Sequence, residues 1–125
     1  MQLTPEKQKN LVALCQQLIG IPSITGQEKK LAGFIKEEML RRGFDEAWLD
    51  EVGNVIGVLK GHQPGKKVLF DGHLDTVEVL EQDTWQHPPF GGEVDSGKIY
   101  GRGASDMKGA LAAMIFAVGE LAKCK

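Results

Sequence analysis

Residues 69–79 read LFDGHLDTVEV, an apolar run that gives way to His73, Asp75 and Thr76. Side chains two apart on an extended chain point the same way, so His73 and Asp75 share a face there. An imidazole that ligates a metal commonly gives its other ring N–H to a carboxylate, which fixes the tautomer and raises ligand basicity. An H-x-D pair where a strand stops can therefore supply a ligand and its orienting group. Taken alone, an H-x-D pair is more often the ordinary polar end of a strand.

A second stretch, YGRGASDMKGA at 100–110, has the glycines of a phosphate loop but not their order. The pattern G-x-x-x-x-G-K-[ST] fails, because Lys108 is followed by Gly109 and is not preceded by glycine. The dinucleotide pattern G-x-G-x-x-G would need glycine where Asp106 stands, and an acid there repels a pyrophosphate. The residues fit better a tight loop in which Gly101 and Gly103 deliver Asp106 to a sheet edge at the start of a helix. A carboxylate there is stabilised by the helix N-terminus, either as a plain N-cap or as one ligand of a cation shared with His73.

Together the two stretches resemble the metallopeptidases and amidohydrolases of peptidase family M20. LFDGHLDTV is similar to the family's first signature and GRGASDMKGALAAMI to its second. The intervening TWQHPPFGGEVDSGKIYGRG carries the family's W-x-x-x-P-F stretch, and the resemblance covers essentially the whole chain. The family includes aminoacylases, acetylornithine deacetylase-like and succinyl-diaminopimelate desuccinylase-like enzymes, and carboxypeptidases. The resemblance implies a hydrolase that cleaves an amide bond in small N-acyl amino acids or peptides, using two divalent metal ions to activate water. Residue by residue, His73 matches a metal ligand, Asp106 the carboxylate that bridges the metals, and Asp75 the catalytic-site acid that orients His73. Imidazole and carboxylate ligands suit zinc, with cobalt or manganese as substitutes. The resemblance further implies a cis Asp106–Met107 peptide bond and, for the full-length protein, a homodimer built on an inserted dimerisation domain.

One part of the family's pattern has no counterpart. A Glu-Glu pair downstream of the bridging aspartate supplies the general base and a further ligand, whereas here Glu120 stands alone in a helical pattern. Glu37-Glu38 lies upstream and reads as a solvated helix face. Residues 1–125 are thus expected to be the N-terminal segment of a single metallohydrolase catalytic domain, lacking the dimerisation domain and inert alone. The alternative is a non-catalytic remnant that binds metal weakly or serves as an interaction module. A nucleotide-binding α/β domain rests only on the glycines near 101–109 and is opposed by Asp106. Of the other polar residues, His62 reads as an exposed turn and His87 as packed beside Trp85. Asp71 reads as a support bonded to backbone, and Arg102 and Lys108 as surface charge that could attract a substrate carboxylate.

Several elements must position these groups. Thr4-Pro5 predicts the start of a helix, whose face Leu11, Leu14, Cys15, Leu18 and Ile19 ends at Gly20. Pro22 in the link IPSIT cannot continue it. Thr25 and Glu28 fit a capping box for a second helix, with Leu31, Phe34, Ile35 and Met39 on one face and Arg41, Arg42 and Gly43 closing it. Met107, Ala110, Leu111, Met114, Ile115, Val118 and Leu121 predict a third. Strands are expected at 46–52, 54–61 and 66–72, the last two joined as a hairpin through GHQPG and the last buried on both faces. A second hairpin turns at Asp95-Ser96-Gly97. The order helix, helix, strands, helix predicts an α/β fold, a mixed β-sheet layered with helices, which the resemblance sharpens to a partial zinc-exopeptidase-like catalytic domain.

Composition adds exclusions. A net charge of −2 with mixed signs gives no nucleic-acid or anionic-membrane surface. No apolar run reaches the ~18 residues of a membrane span, and MQLTPEKQKN lacks a signal peptide's apolar core. Cys15 and Cys124 make no metal-ligand spacing and read as two unconnected thiols of a cytoplasmic protein.

Overall fold

The structure, a computed structural model, describes residues 3–124. Three helices form the framework, α1 (Pro5–Ile19), α2 (Lys29–Arg41) and α3 (Gly109–Ala122). Between α2 and α3 lie β1 (Glu46–Leu49), β2 (Val55–Val58), one 3-10 turn (Gln82–Thr84), β3 (Glu93–Asp95) and β4 (Lys98–Tyr100). A wide, irregular turn at Ala104–Lys108 leads into α3. The fold class is α/β. None of the helices among the described residues is long and apolar enough to cross a membrane.

The helices meet in one core. Leu14, Cys15, Leu18 and Ile19 of α1 pack with Leu31 and Ile35 of α2 and with Leu111, Ala112, Ile115 and Phe116 of α3. Each fully buried leucine or isoleucine contributes about 2 kcal/mol of transfer free energy. Helix α1 starts as its sequence predicts, with the Thr4 hydroxyl accepting from the Lys7 N–H and Pro5 in the first turn. Gly43 closes α2 at a φ of +89°, a left-handed conformation open to glycine. Cys15 is buried, Cys124 is exposed, and both are free.

Four expectations change. The capping box of α2 does not form. Glu28 is itself the N-cap residue and its carboxylate accepts from the Gly26 N–H, while Thr25 bonds elsewhere. Glu38 is not on a solvated face; it is 5% exposed and accepts from Arg41 and from Arg42, whose guanidinium also lies over the Phe116 ring. Burial pushes this carboxyl up, but the two arginines outweigh it and hold it below the ordinary glutamate value. Helix α3 starts at Gly109 and is rotated from the expected face. Phe116 and Gly119 are buried, Gly119 beneath the Arg42 side chain, while Leu121 is exposed.

The fourth concerns the sheet. β2 pairs antiparallel with β1, in the register Glu46↔Val58 to Leu49↔Val55, and not with 66–72. The reversal is set by Asp50, whose carboxylate accepts from the Val52 and Asn54 N–H groups and from the Asn54 side chain. That turn consumes the second half of the strand expected at 46–52. Segment 66–72 joins no ladder among the described residues, and Val68, Leu69 and Phe70 are exposed. Apolar strand formers supply propensity, but a strand needs neighbours whose N–H and C=O groups it can pair. The hairpin of β3 and β4 forms as expected, with Ser96 and Gly97 both at positive φ in its two-residue turn.

Candidate metal centre

The chain past residue 72 is fastened to the link between α1 and α2. Thr76 donates its N–H to the Ser23 carbonyl at 2.8 Å, and the Ser23 hydroxyl donates to the Leu74 carbonyl at 2.8 Å. Ile24 and Thr76 form one parallel bridge. Gly72 lies close against Met107 and Leu111: a Cβ there would stand 2.8 Å from Met107 Cε, and the methionine would have to shift. The His73 N–H then donates to Met107 Sδ at 3.3 Å. This contact brings the His73 segment to the turn that carries Asp106.

At that meeting point His73 Nε2 lies 2.8 Å from Asp106 Oδ1. On the other side of the ring, Nδ1 lies 3.0 Å from the Asp75 carbonyl and 3.2 Å from Asp75 Oδ1. All three of these oxygens can only accept, so both ring nitrogens carry a proton in this arrangement: Nδ1 donates to Asp75 and Nε2 donates to Asp106, and the Nε2 proton is the one a metal ion would displace. The Asp75 carboxylate is held in turn by the Thr25 hydroxyl, which donates to Oδ2 at 2.9 Å. His73, Asp75 and Asp106 thus converge, and the orienting chain runs from Thr25 through Asp75 to the ring.

The electrostatics follow the contacts. The Asp106 hydrogen bond, helped by the Asp75 backbone, raises the His73 pKa above the ordinary histidine value. The Thr25 hydrogen bond leads the causes that hold Asp75 below the ordinary aspartate value. The side chains of His73, Asp75 and Asp106 are 46%, 40% and 85% exposed, so the centre is open to an incoming group.

Asp106 is not the N-cap of α3. It lies three residues ahead of Gly109, in backbone that is not helical, and the bond to Met107 is cis. Gly103, at φ +76°, makes the turn possible. Lys108 is not surface charge: it is 1% exposed, and its ammonium donates to the Ile21 carbonyl at 2.6 Å. Burial lowers its pKa to about 8. A lysine so occupied cannot cradle a phosphate, which adds to the objection that Asp106 raises against the nucleotide reading. Arg102 lies over the Trp85 ring at 5.1 Å and donates to the Glu78 carbonyl. His87 stacks on Tyr100 and bonds Glu93, while His62 is exposed in its turn. Asp71 is exposed and has no hydrogen-bond partner among the described residues, so it is not the backbone support expected of it.

The donor chemistry fits a divalent ion in part. One imidazole nitrogen and one carboxylate face each other, and Asp75 backs the imidazole as outer partners of ligating histidines do. No group of three His, Cys, Asp or Glu side chains able to hold a metal occurs among the described residues. Catalytic zinc ordinarily takes three protein ligands. Sequence reasoning missed Ser23, Thr25 and the inward course of Lys108; only Thr25 carried a signal, and it pointed to a helix cap.

Residues 69–125 match the model of Peptidase family M20/M25/M40. Over 117 residues the chain is 35% identical to uncharacterized protein YgeY of Escherichia coli (strain K12), covering 94% of this chain and 28% of that protein. The YgeY protein of Escherichia coli O157:H7 gives the same values. Among solved structures, an M20 family metallo-carboxypeptidase, Sso-CP2 from Sulfolobus solfataricus, superposes with a TM-score of 0.74 at 29% identity, covering 94% of this chain and 27% of that one. The chain thus spans 28% of the length of the curated relatives and 27% of the solved one.

Proposed function

We propose that the chain belongs to peptidase family M20/M25/M40 and carries one side of a two-metal hydrolase centre, with His73 and Asp106 as ligands. The enzyme of which it is part cleaves an amide bond in small N-acyl amino acids or peptides. The observation that carries this reading is the approach of His73 Nε2 to Asp106 Oδ1 at 2.8 Å while Asp75 occupies Nδ1. The carboxypeptidase named among the structural relatives supports a peptide substrate.

Zinc, or cobalt or manganese in its place, would supply Lewis acidity for the scissile carbonyl and lower the pKa of a bound water. Each residue of this chain has a narrower task. Asp75 keeps the proton on Nδ1, so that the Nε2 lone pair is the one presented for ligation. Thr25 fixes which way Asp75 faces. Asp106, with both carboxylate oxygens free of the helix that follows, has the valence to serve two cations. The general base lies outside this set. Residues 1–125 by themselves are therefore inert in this reading, since one imidazole and one carboxylate fall short of a catalytic zinc set.

Zinc titration of the natural-length protein tests the proposal. His73→Ala and Asp106→Asn are expected to abolish zinc-dependent release of amine from N-acetyl amino acids and short peptides. Asp75→Asn is expected to cost on the order of 10- to 100-fold in metal affinity or rate. Zinc binding that His73→Ala leaves unchanged would refute the assignment. The rival reading, a weak metal-binding or interaction module, draws on the absence of a three-ligand group among the described residues. It predicts zinc binding with no hydrolysis even at natural length.

A further inference from the structure

Residues 21–25, the link between α1 and α2, bond to both of the segments that carry the metal centre. Toward the first, Ser23 exchanges two hydrogen bonds with the chain at 74–76, and Thr25 donates to Asp75. Toward the second, the Ile21 carbonyl accepts the Lys108 ammonium, two residues past Asp106. The two segments also touch through Gly103. A Cβ built there would stand 2.6 Å from Thr76 Cγ2 and 3.4 Å from Lys108 Cδ. Ser23 is fully buried, so its own two bonds are shielded from solvent.

We propose that this link is the spine that sets the spacing between His73 and Asp106, with Thr25 and Lys108 as positioning residues for metal binding. The inference rests on the metal-centre reading above.

Lys108 gives the strongest reason. Burying an ammonium against a neutral carbonyl is an expensive way to fill space, and apolar residues of similar volume replace buried charges at little or no loss of stability. What the ammonium adds is direction. It ties the residue after the Asp106–Met107 pair to a fixed point on the link. The same five-residue stretch fixes Asp75 on the opposite side through Thr25. Two ligands 33 positions apart in the chain are thereby referred to one short, bonded segment instead of to each other.

The test uses the natural-length protein with Zn²⁺ alone and Co²⁺ alone as probes. Zinc affinity is measured by chelator competition, and the visible spectrum of bound cobalt reports ligand geometry. Thr25→Val removes an exposed hydroxyl with little change of volume and is expected to weaken zinc binding on the order of tenfold. Thr25→Ser, which keeps the hydroxyl, should restore both affinity and spectrum. Lys108→Met should weaken zinc binding similarly while leaving the urea midpoint unreduced, a combination that a merely structural lysine would not give. His73→Ala separates the two levels of the argument. If it abolishes binding while Thr25→Val and Lys108→Met bind zinc as the parent does, the spine is overturned and the centre stands. If His73→Ala binds as the parent does, both fall. A Thr25→Ser variant as weak as Thr25→Val would also overturn the proposal, because the hydroxyl would not be the agent.

Discussion

Gly103→Ala is expected to damage the turn that carries Asp106, and the structure separates its two costs. The first is conformational. Gly103 has φ +76°, and a left-handed backbone costs an L-residue about 1–2 kcal/mol. The second is steric, since the added Cβ would meet Thr76 Cγ2 at 2.6 Å. Thr76 cannot retreat easily, because it is 5% exposed and its N–H is bonded to the Ser23 carbonyl. Overpacking of such a site adds about 1–3 kcal/mol. Gly97 provides the control, with φ +77° and nothing within 4 Å of the point where a Cβ would stand. Gly97→Ala should therefore show the conformational cost alone. In urea unfolding of the natural-length protein, Gly103→Ala should exceed Gly97→Ala by about 1–3 kcal/mol at unchanged m-value. Equal losses for the two variants would mean that the turn bearing Asp106 is not packed against Thr76 as described.

Three further outcomes are expected. Glu38 has a folded-state pKa below its ordinary value, so the unfolded chain takes up that proton more readily. Its stabilisation is complete above the ordinary glutamate range and is lost as pH falls through that range to the lower folded value; Glu38→Gln should flatten the acid limb of a stability–pH curve, and parallel curves would refute the role. Thr4→Ala should cost α1 about 0.5–1 kcal/mol by thermal or urea unfolding, as loss of an exposed N-cap does, and no change would show the Thr4–Lys7 bond to be idle. Purified residues 1–125 should release no amine from N-acetyl amino acids with zinc present, and zinc-dependent release abolished by His73→Ala would contradict that.

The helices were legible because their causes are local, and the meeting of His73, Asp75 and Asp106 because the two stretches that carry them resemble the signatures of peptidase family M20. Thr4-Pro5 and Arg41-Arg42-Gly43 write helix ends into a few residues, and the Ser96-Gly97 turn does the same for a hairpin. The rotation of α3 was not legible for a physical reason. GALAAMIFAVGELA is apolar nearly all round, so periodicity cannot choose a face, and the seat of Gly119 under Arg42 decides it. Pairing of the strands failed for a similar reason. VLF at 68–70 and VIGV at 55–58 are alike in strand propensity, while the partner of VIGV was chosen by Asp50, whose carboxylate gathers the turn that reaches β1. Burial of Glu38 and Lys108 escaped because charge in a sequence reads as surface until its partners are known.

Thr25 shows why the surroundings of a site are harder to read than the site. T-x-x-E at 25–28 is a sound local pattern, and an N-cap hydroxyl contributes about 1 kcal/mol by accepting from a backbone N–H. The folded chain offers that hydroxyl a second use, as donor to the Asp75 carboxylate 50 positions away. Donating leaves the hydroxyl's lone pairs free to accept, so the cap is missing because α2 begins later, with Glu28 at its N-cap, and not because the hydroxyl is used up. Glu28, released from the box, satisfies Gly26 instead and stands at the N-cap position itself. The helix loses little by the exchange, since α2 is held by Leu31 and Ile35 in the core. The centre gains the contact that aims Asp75 at His73. Thr25 thus marks the site by the carboxylate to which it donates, a partner that no local pattern reveals.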